Sequence, residues 1–195
     1  YAVLAQRGFF DKKELEGFAV NNATFEHHPK MDLNRGIEIS TGSLGYGLSA
    51  GAGMALAAKV DRKKHKIYVL LSDGETNEGS VWEAAMFSSH HKLSNLVALV
   101  DYNRMQALGC TQEVIDLEPY EDKWKAFGWF VKSINGHNFH EIFNALRNLS
   151  VDRPNVLILN TLKGKGVSFM ENSLDWHYRH PDKDQYEAAL RELDS

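Results

Sequence analysis

Between residues 67 and 103 the chain carries two apolar runs, each ending in a polar turn, with one helix-length stretch between them. Residues 67–71 lead into Ser72-Asp73-Gly74-Glu75-Thr76-Asn77-Glu78-Gly79, and Leu96-Val97-Ala98-Leu99-Val100 leads into Asp101-Tyr102-Asn103. Strand, helix, strand in that order is a unit whose strands run parallel. In an open parallel sheet both turns fall at the carboxyl edge, where such folds bind ligands. Asp73 and Asn103 are therefore expected side by side. The expected fold class is α/β, a three-layer open parallel sheet with helices on both faces.

A carboxylate and an amide oxygen converging at a sheet edge suit a small hard cation, which takes oxygen ligands and is often completed by phosphate groups. Magnesium with a diphosphate is the natural expectation. Gly74 lets backbone approach an anion closely, and the helix start near Glu78 offers unpaired amide donors. An isolated Asp-Gly is usually an ordinary turn. Here two such turns come as a pair.

The pattern Asp73-Gly74, Glu78-Gly79, Trp82-Glu83-Ala84, Leu93, Asn95-Leu96 and Asp101-Tyr102-Asn103 resembles the thiamine diphosphate motif in its transketolase form, with Ser72 where that family usually has Gly. The resemblance implies that Asp73, the Asn103 side chain and the backbone carbonyl of Met105 hold the metal that grips the cofactor's diphosphate. That metal would be Mg2+ (or Ca2+). The same family has a Thr-Gly-Ser-Leu-Gly-Gln-Gly segment, matched here by Thr41-Gly42-Ser43-Leu44-Gly45-Tyr46-Gly47, which implies cofactor contacts at Gly42, Ser43 and Leu44. The Gly-x-Gly in this stretch does not read as a dinucleotide fingerprint, because no good strand precedes Thr41. Gly74 and Glu75 are implied to line the cofactor with Asn103.

Three further matches extend the resemblance over almost the whole chain. His28-Pro29 lies in a loop-like stretch at residues 21–43, and long loops in compact domains tend to be functional. The family's His-Pro puts that histidine near the reactive ring and the substrate; His27 has no such counterpart. Thr161-Leu162-Lys163-Gly164-Lys165-Gly166 matches a Thr-x-Lys-Gly-Lys-Gly segment, implying Lys163 beside the cofactor and leaving Lys165 open. Trp176-His177 matches a Trp-His-Gly, implying that His177 faces the substrate, with Tyr178 in place of the Gly. The family also carries a histidine motif just upstream of a stretch like Tyr1-Ala2-Val3-Leu4-Ala5. That motif is not in this sequence.

Composition sets the remaining bounds. A chain of 195 residues, 43% apolar and 11% aromatic, has a one-domain length and enough apolar mass for a buried core. The expectation is one diphosphate-binding domain over residues 1–195, lacking the N-terminal part of the family domain. Net charge is −4 with signs interspersed, so nothing recommends nucleic acid. Residues 59–66 form a basic link, read as surface. A single cysteine, Cys110, excludes an internal disulfide and a Cys-rich zinc site and fits a reducing, cytoplasmic setting. No run approaches membrane-spanning length.

Along the chain, residues 11–20 read as a short helix capped by Asp11 with Leu15, Phe18 and Ala19 on one face. The helix at 79–92 is expected to bury Val81, Trp82, Ala85, Met86 and Ser89. Adjacent His90 and His91 cannot share a helix face, so no metal is expected there. A Gly-containing loop with Cys110, a helix near 120–127, strands at 129–134 and 155–161 around an Asn138-capped helix, and a surface helix at 184–193 complete the pattern.

The resemblance implies ketol transfer between a ketose and an aldose, usually as sugar phosphates, by the diphosphate-binding chain of a split transketolase. His28 and His177 would polarise substrate oxygens or carry protons, a task suited to imidazole. Glu78 would reach across an interface to link two cofactor sites. The partner would be a pyrimidine-binding subunit, whose glutamate contacts the aminopyrimidine, in an assembly of two copies of each chain. Two alternatives stay open: another thiamine diphosphate enzyme, such as a deoxyxylulose phosphate synthase or a 2-oxo acid dehydrogenase, and a non-catalytic partner that keeps the fold.

Overall fold

The computed structural model describes residues 1–194, which form two compact units, the first spanning Tyr1–Leu44 and the second running on from Gly45. In the first, helix α1 (Ala2–Gln6) ends before Gly8, whose φ of +81° takes the chain out of helix. The stretch expected as a helix over residues 11–20 is a 3-10 turn, Lys12–Gly17, with the Asp11 carboxylate accepting the Lys13 N–H at 2.9 Å. It stops there because Phe18 is extended and bridges to Phe25, while Ala19 sits at φ +56° and donates its N–H to the Phe25 carbonyl at 2.8 Å. Leu15, but not Phe18 or Ala19, packs on this unit's small core of Ala5, Phe10, Phe25 and Ile37. The loop-like stretch keeps only one turn of 3-10 helix, Leu33–Arg35, held by Arg35 pairing with Glu14 at 3.0 Å and Asp32 at 2.8 Å.

The second unit alternates strands and helices. Helix α2 (Tyr46–Val60) precedes β1 (Ile67–Ser72), α3 (Gly79–His90) and β2 (Leu96–Tyr102). A hairpin of β3 (Met105–Gln106) and β4 (Gly109–Cys110) takes the place of the expected loop, followed by α4 (Thr111–Val114) and α5 (Tyr120–Ala126). Then come β5 (Phe130–Asn135), α6 (Phe139–Arg147), β6 (Asn155–Asn160) and α7 (Lys183–Leu193). The Asn138 side chain caps α6 through the N–H groups of His140 and Glu141, and Asp182 and Gln185 close a capping box on α7.

All four main strands are parallel, in the order β1-β2-β6-β5. Helices cover both faces, as expected. Alternate residues of β2 divide between two cores: Leu96, Ala98 and Val100 pack with α2, α3 and α5, while Val97 and Leu99 pack with α6. Its uninterrupted apolar run is what a strand buried on both faces requires. The α6 layer leaves the edge strand β1 bare on that side, with Tyr68 and Leu70 exposed.

Close approach explains the small residues of α2. A Cβ on Gly51 would lie 2.4 Å from Val69 Cγ2, so only glycine lets this helix sit down on β1. The inward face of α3 is Val81, Ala84, Ala85 and Ser88, shifted from the expected one; Met86 points outward, half exposed. Alanines face inward where α3 meets α2, and a methionine there would overfill the contact.

Candidate functional site at the carboxyl edge of the sheet

The chain crosses from β1 to the neighbouring β2 through α3 on one face, and from the edge strand β5 back to β6 through α6 on the other. The direction of winding reverses between β2 and β6, and the crevice outside the carboxyl ends at such a reversal is where open α/β sheets take ligands. Four polar segments converge there: Asp73-Gly74 after β1, Asn103 to Gln106 after β2, Gly136-His137 after β5, and Thr161 to Gly166 after β6. They are tied to one another. Thr161 Oγ1 donates to Asp101 Oδ1, the Thr161 N–H to the Tyr102 carbonyl at 3.3 Å, and the Leu162 N–H to His137 Nε2 at 2.7 Å.

Asp73 is fully buried. Its Oδ1 accepts the N–H of Gly74 at 2.7 Å and its Oδ2 the N–H of Arg104 at 2.5 Å. No cationic side chain pairs with it among the described residues. Burial therefore pushes its pKa up to about 6 against the lowering effect of the two N–H donors, and nearby Asp101 adds to the rise. Asn103 Oδ1 accepts the Met105 N–H at 2.9 Å, which aims the amide into the same turn. The expected neighbours Asp73, Asn103 and Met105 are thus brought together. Gly74 lies against Gln106: a Cβ there would meet Gln106 Cβ at 2.7 Å.

Glu75 faces back into the fold. Its Oε1 accepts the Gly45 N–H at 2.9 Å and its Oε2 the Ser72 N–H at 3.3 Å, so the carboxylate fastens the start of α2 to the end of β1. Glu78 opens α3 without capping it and is exposed. The two lysines after β6 differ. Lys165 pairs with Glu171 at 3.5 Å, whereas Lys163 is half-buried and has no ion-pair partner among the described residues. His177 lies in a 3-10 turn, Leu174–His177, packed beside β3 and held by Trp176 Nε1 donating to the Phe169 carbonyl at 2.9 Å. Partial burial lowers the His177 pKa, and the Lys163 charge lowers it further. Exposed Tyr178 sets its ring edge-on to His177, the centroids 4.7 Å apart.

In the first unit, His28 and Gly42 meet. Gly42 has φ +142°, and a Cβ on it would lie 2.8 Å from His28 Cγ, so the imidazole rests on bare backbone. Ser43 and Leu44 follow, both exposed.

A metal-bound diphosphate fits the residues at the sheet edge. A buried carboxylate without a countercharge calls for a cation. No group of three or more His, Cys, Asp or Glu that could hold a metal occurs among the described residues, so a cation at Asp73 would need neutral oxygens and an anionic ligand to complete it. Among the described residues, buried Gln106 Nε2 and Asn77 Oδ1 have no hydrogen-bond partner. The former, beside Gly74, is a donor suited to a phosphate oxygen. Gln106 was not legible in the sequence, because only the hairpin turns it against Gly74.

Comparison with known proteins gives the family. Residues 1–193 match the family described as "Transketolase, thiamine diphosphate binding domain". The chain is 44% identical to one subunit of the apulose-4-phosphate transketolase of Phocaeicola vulgatus, over 99% of this chain and 69% of that protein. It is also 44% identical to a 6-deoxy-6-sulfo-D-fructose transketolase subunit of a Clostridium species, over 100% of this chain and 71% of that one. Among solved structures it is similar to the transketolase of Campylobacter jejuni, with a TM-score of 0.88 and 30% identity. That match covers 93% of this chain and 30% of the other, so the chain spans less than a third of that transketolase.

Proposed function

The chain belongs to the transketolase family, and from that premise we propose that it is the diphosphate-binding polypeptide of a split, Mg2+-dependent transketolase that moves a two-carbon ketol unit between sugars. The observation that carries this reading is the buried Asp73 carboxylate, which faces backbone N–H groups alone at the edge where Asn103 and Gly74 also converge. Asp73, the Asn103 amide oxygen and the Met105 carbonyl would hold the metal, and Gly42, Ser43, Leu44, Gly74 and Lys163 would receive the cofactor. Bound thiamine diphosphate supplies the nucleophilic carbon and the electron sink.

The protein's own part is position, charge and protons. Lys163, unpaired with any carboxylate among the described residues, offers its ammonium to an anion. Depressed in pKa, His177 stays neutral at pH 7 and can both accept and donate a hydrogen bond at substrate oxygens. His28, resting on Gly42, would share that work. Two relatives are named as subunits, which supports a separate partner polypeptide; in this reading that partner binds the pyrimidine, meets Glu78 and assembles with two copies of each chain. Their named sugars, one a phosphate and the other a sulfo sugar, support a sugar substrate carrying an anionic group.

Calorimetry with thiamine diphosphate tests the reading, using the chain together with its partner subunit. Binding is expected with Mg2+ present and lost with a chelator or in Asp73→Ala. Wild-type affinity in a folded Asp73→Ala protein would remove the central claim.

A further inference from the structure

Behind the two candidate metal-binding turns lies a set of buried groups that the cofactor contacts do not use. Thr76 is wholly buried in the 3-10 turn Gly74–Asn77, and its Oγ1 donates to the Asp73 carbonyl at 2.6 Å. Trp82 Nε1 closes the same turn by donating to the Thr76 carbonyl at 2.8 Å. From α5, Tyr120 reaches this turn: its hydroxyl lies 3.3 Å from Thr76 Oγ1, to which it donates. The Tyr120 ring also stacks on Tyr102, centroids 5.0 Å apart and planes 9° from parallel. Tyr102 is the residue immediately before Asn103. Glu118 holds the pair in place, one oxygen accepting the Tyr102 hydroxyl and the other the Tyr120 N–H at 2.9 Å.

Tyr120 therefore touches both turns at once, the Asp73 turn through its hydroxyl and the Asn103 turn through its ring face. We propose that Tyr120 is a positioning residue, which sets the spacing of Asp73 and Asn103 for a divalent cation by bracing Thr76 and Tyr102 from behind. The inference rests on the metal-site reading given above.

The physical reason is geometric. A hard cation such as Mg2+ demands near-ideal ligand positions and gains little from a site that is loose by a fraction of an ångström. Supporting shells around metal ligands commonly govern affinity by a factor of ten or more. Asp73 and Asn103 come from different strands, and neither carries a side-chain bond to the other. Their mutual registry depends on the sheet, on the Arg104 N–H, and on this brace. Burial at 2% exposure drives the Tyr120 phenol up to about 12, so it remains a donor throughout the physiological range.

The test measures the Mg2+ concentration giving half-saturation of thiamine diphosphate binding, by calorimetry on the chain with its partner subunit, with folding checked by near-ultraviolet circular dichroism. Tyr120→Phe keeps the stack and removes the hydroxyl; half-saturation is expected to rise about tenfold, the upper range of one lost hydrogen bond. Thr76→Val, which also loses the bond to the Asp73 carbonyl, is expected to raise it at least as far, Thr76→Ser to bind as wild type, and the Tyr120→Phe/Thr76→Val double variant to lose no more than Thr76→Val alone, because the Tyr120–Thr76 link is already broken there. Wild-type half-saturation in folded Tyr120→Phe, additive losses in the double variant, or equal losses in Thr76→Ser and Thr76→Val would each overturn the proposal. If Tyr120→Phe does not fold, the two Thr76 variants decide the matter by the same criterion. Asp73→Ala separates the two readings. Where it loses metal-dependent binding and Tyr120→Phe does not, the brace alone fails; where it binds as wild type, the metal site fails and the brace with it.

Discussion

The Asp73 carboxylate accepts the backbone N–H of Arg104 at 2.5 Å, so the turn after β1 and the turn after β2 are joined by the very group proposed to hold a cation. The bond orients the carboxylate without neutralising it. On the proposed reading, buried charge and cation site are one feature, and its protonation links stability to binding.

That linkage has a defined sign. The Asp73 pKa rises on folding from 3.8 to about 6, so the folded state takes up a proton that the unfolded state releases in this window. The metal-free fold accordingly loses stability as pH rises from about 4 to about 6. Cation binding needs the carboxylate, so affinity for Mg2+ with thiamine diphosphate should climb about tenfold per unit below pH 6 and level off above it. Calorimetry between pH 5 and 8 reads the profile, and a flat one would contradict the role of Asp73.

His28→Ala and His177→Ala are expected to bind cofactor normally while ketol transfer falls by about 10²–10⁴, the usual reach of acid–base catalysis. Loss of cofactor binding in either variant would move that histidine from proton transfer to structure. Steady-state kinetics beside calorimetry separates the two outcomes.

Lys163→Ala should raise the His177 pKa toward its ordinary value, because the lysine charge is one of the two influences depressing it; desolvation, the larger, remains. Lys165→Ala should leave that titration in place, since its ammonium is engaged with Glu171. Imidazole proton shifts followed by NMR give both answers, independently of activity.

Two glycines of α2 should behave oppositely. Gly51→Ala drives a methyl to 2.4 Å from Val69 Cγ2 and is expected to destabilise by about 1–3 kcal/mol. Gly53→Ala meets nothing within 4 Å and should stabilise by roughly 1 kcal/mol through helix propensity. Denaturant titration of both variants checks the pair, and equal effects would refute the packing of α2 on β1.

The chain on its own should lack ketol transfer and gain it on addition of a pyrimidine-binding subunit, with light scattering showing two copies of each. Full activity from the lone polypeptide would contradict the split-enzyme proposal.

Local sequence determined much of this. The uninterrupted apolar run of residues 96–100, closed by a polar turn, reads as a strand, and the turns at Asp73 and Asn103 could be placed at one edge from strand-helix-strand order alone. The caps at Asp11 and Asn138 follow from side chains that bond backbone two and three residues on. Such features were legible because their causes lie within a few residues of one another.

Tertiary structure decided the rest, because those outcomes depend on which distant group arrives. The helix beginning at Lys12 ends early because Phe25 takes up Ala19, and α3 turns Met86 outward because α2 leaves room only for alanine. Glu75 is bound to Gly45, thirty residues away, and Lys163 is separated from Lys165 by the position of Glu171. The sequence named Asp73 and Asn103. That Asp73 is buried without a countercharge, and that Tyr120 reaches both turns, came only when the sheet brought α5 behind them, since burial and long-range hydrogen bonds belong to no local stretch of chain.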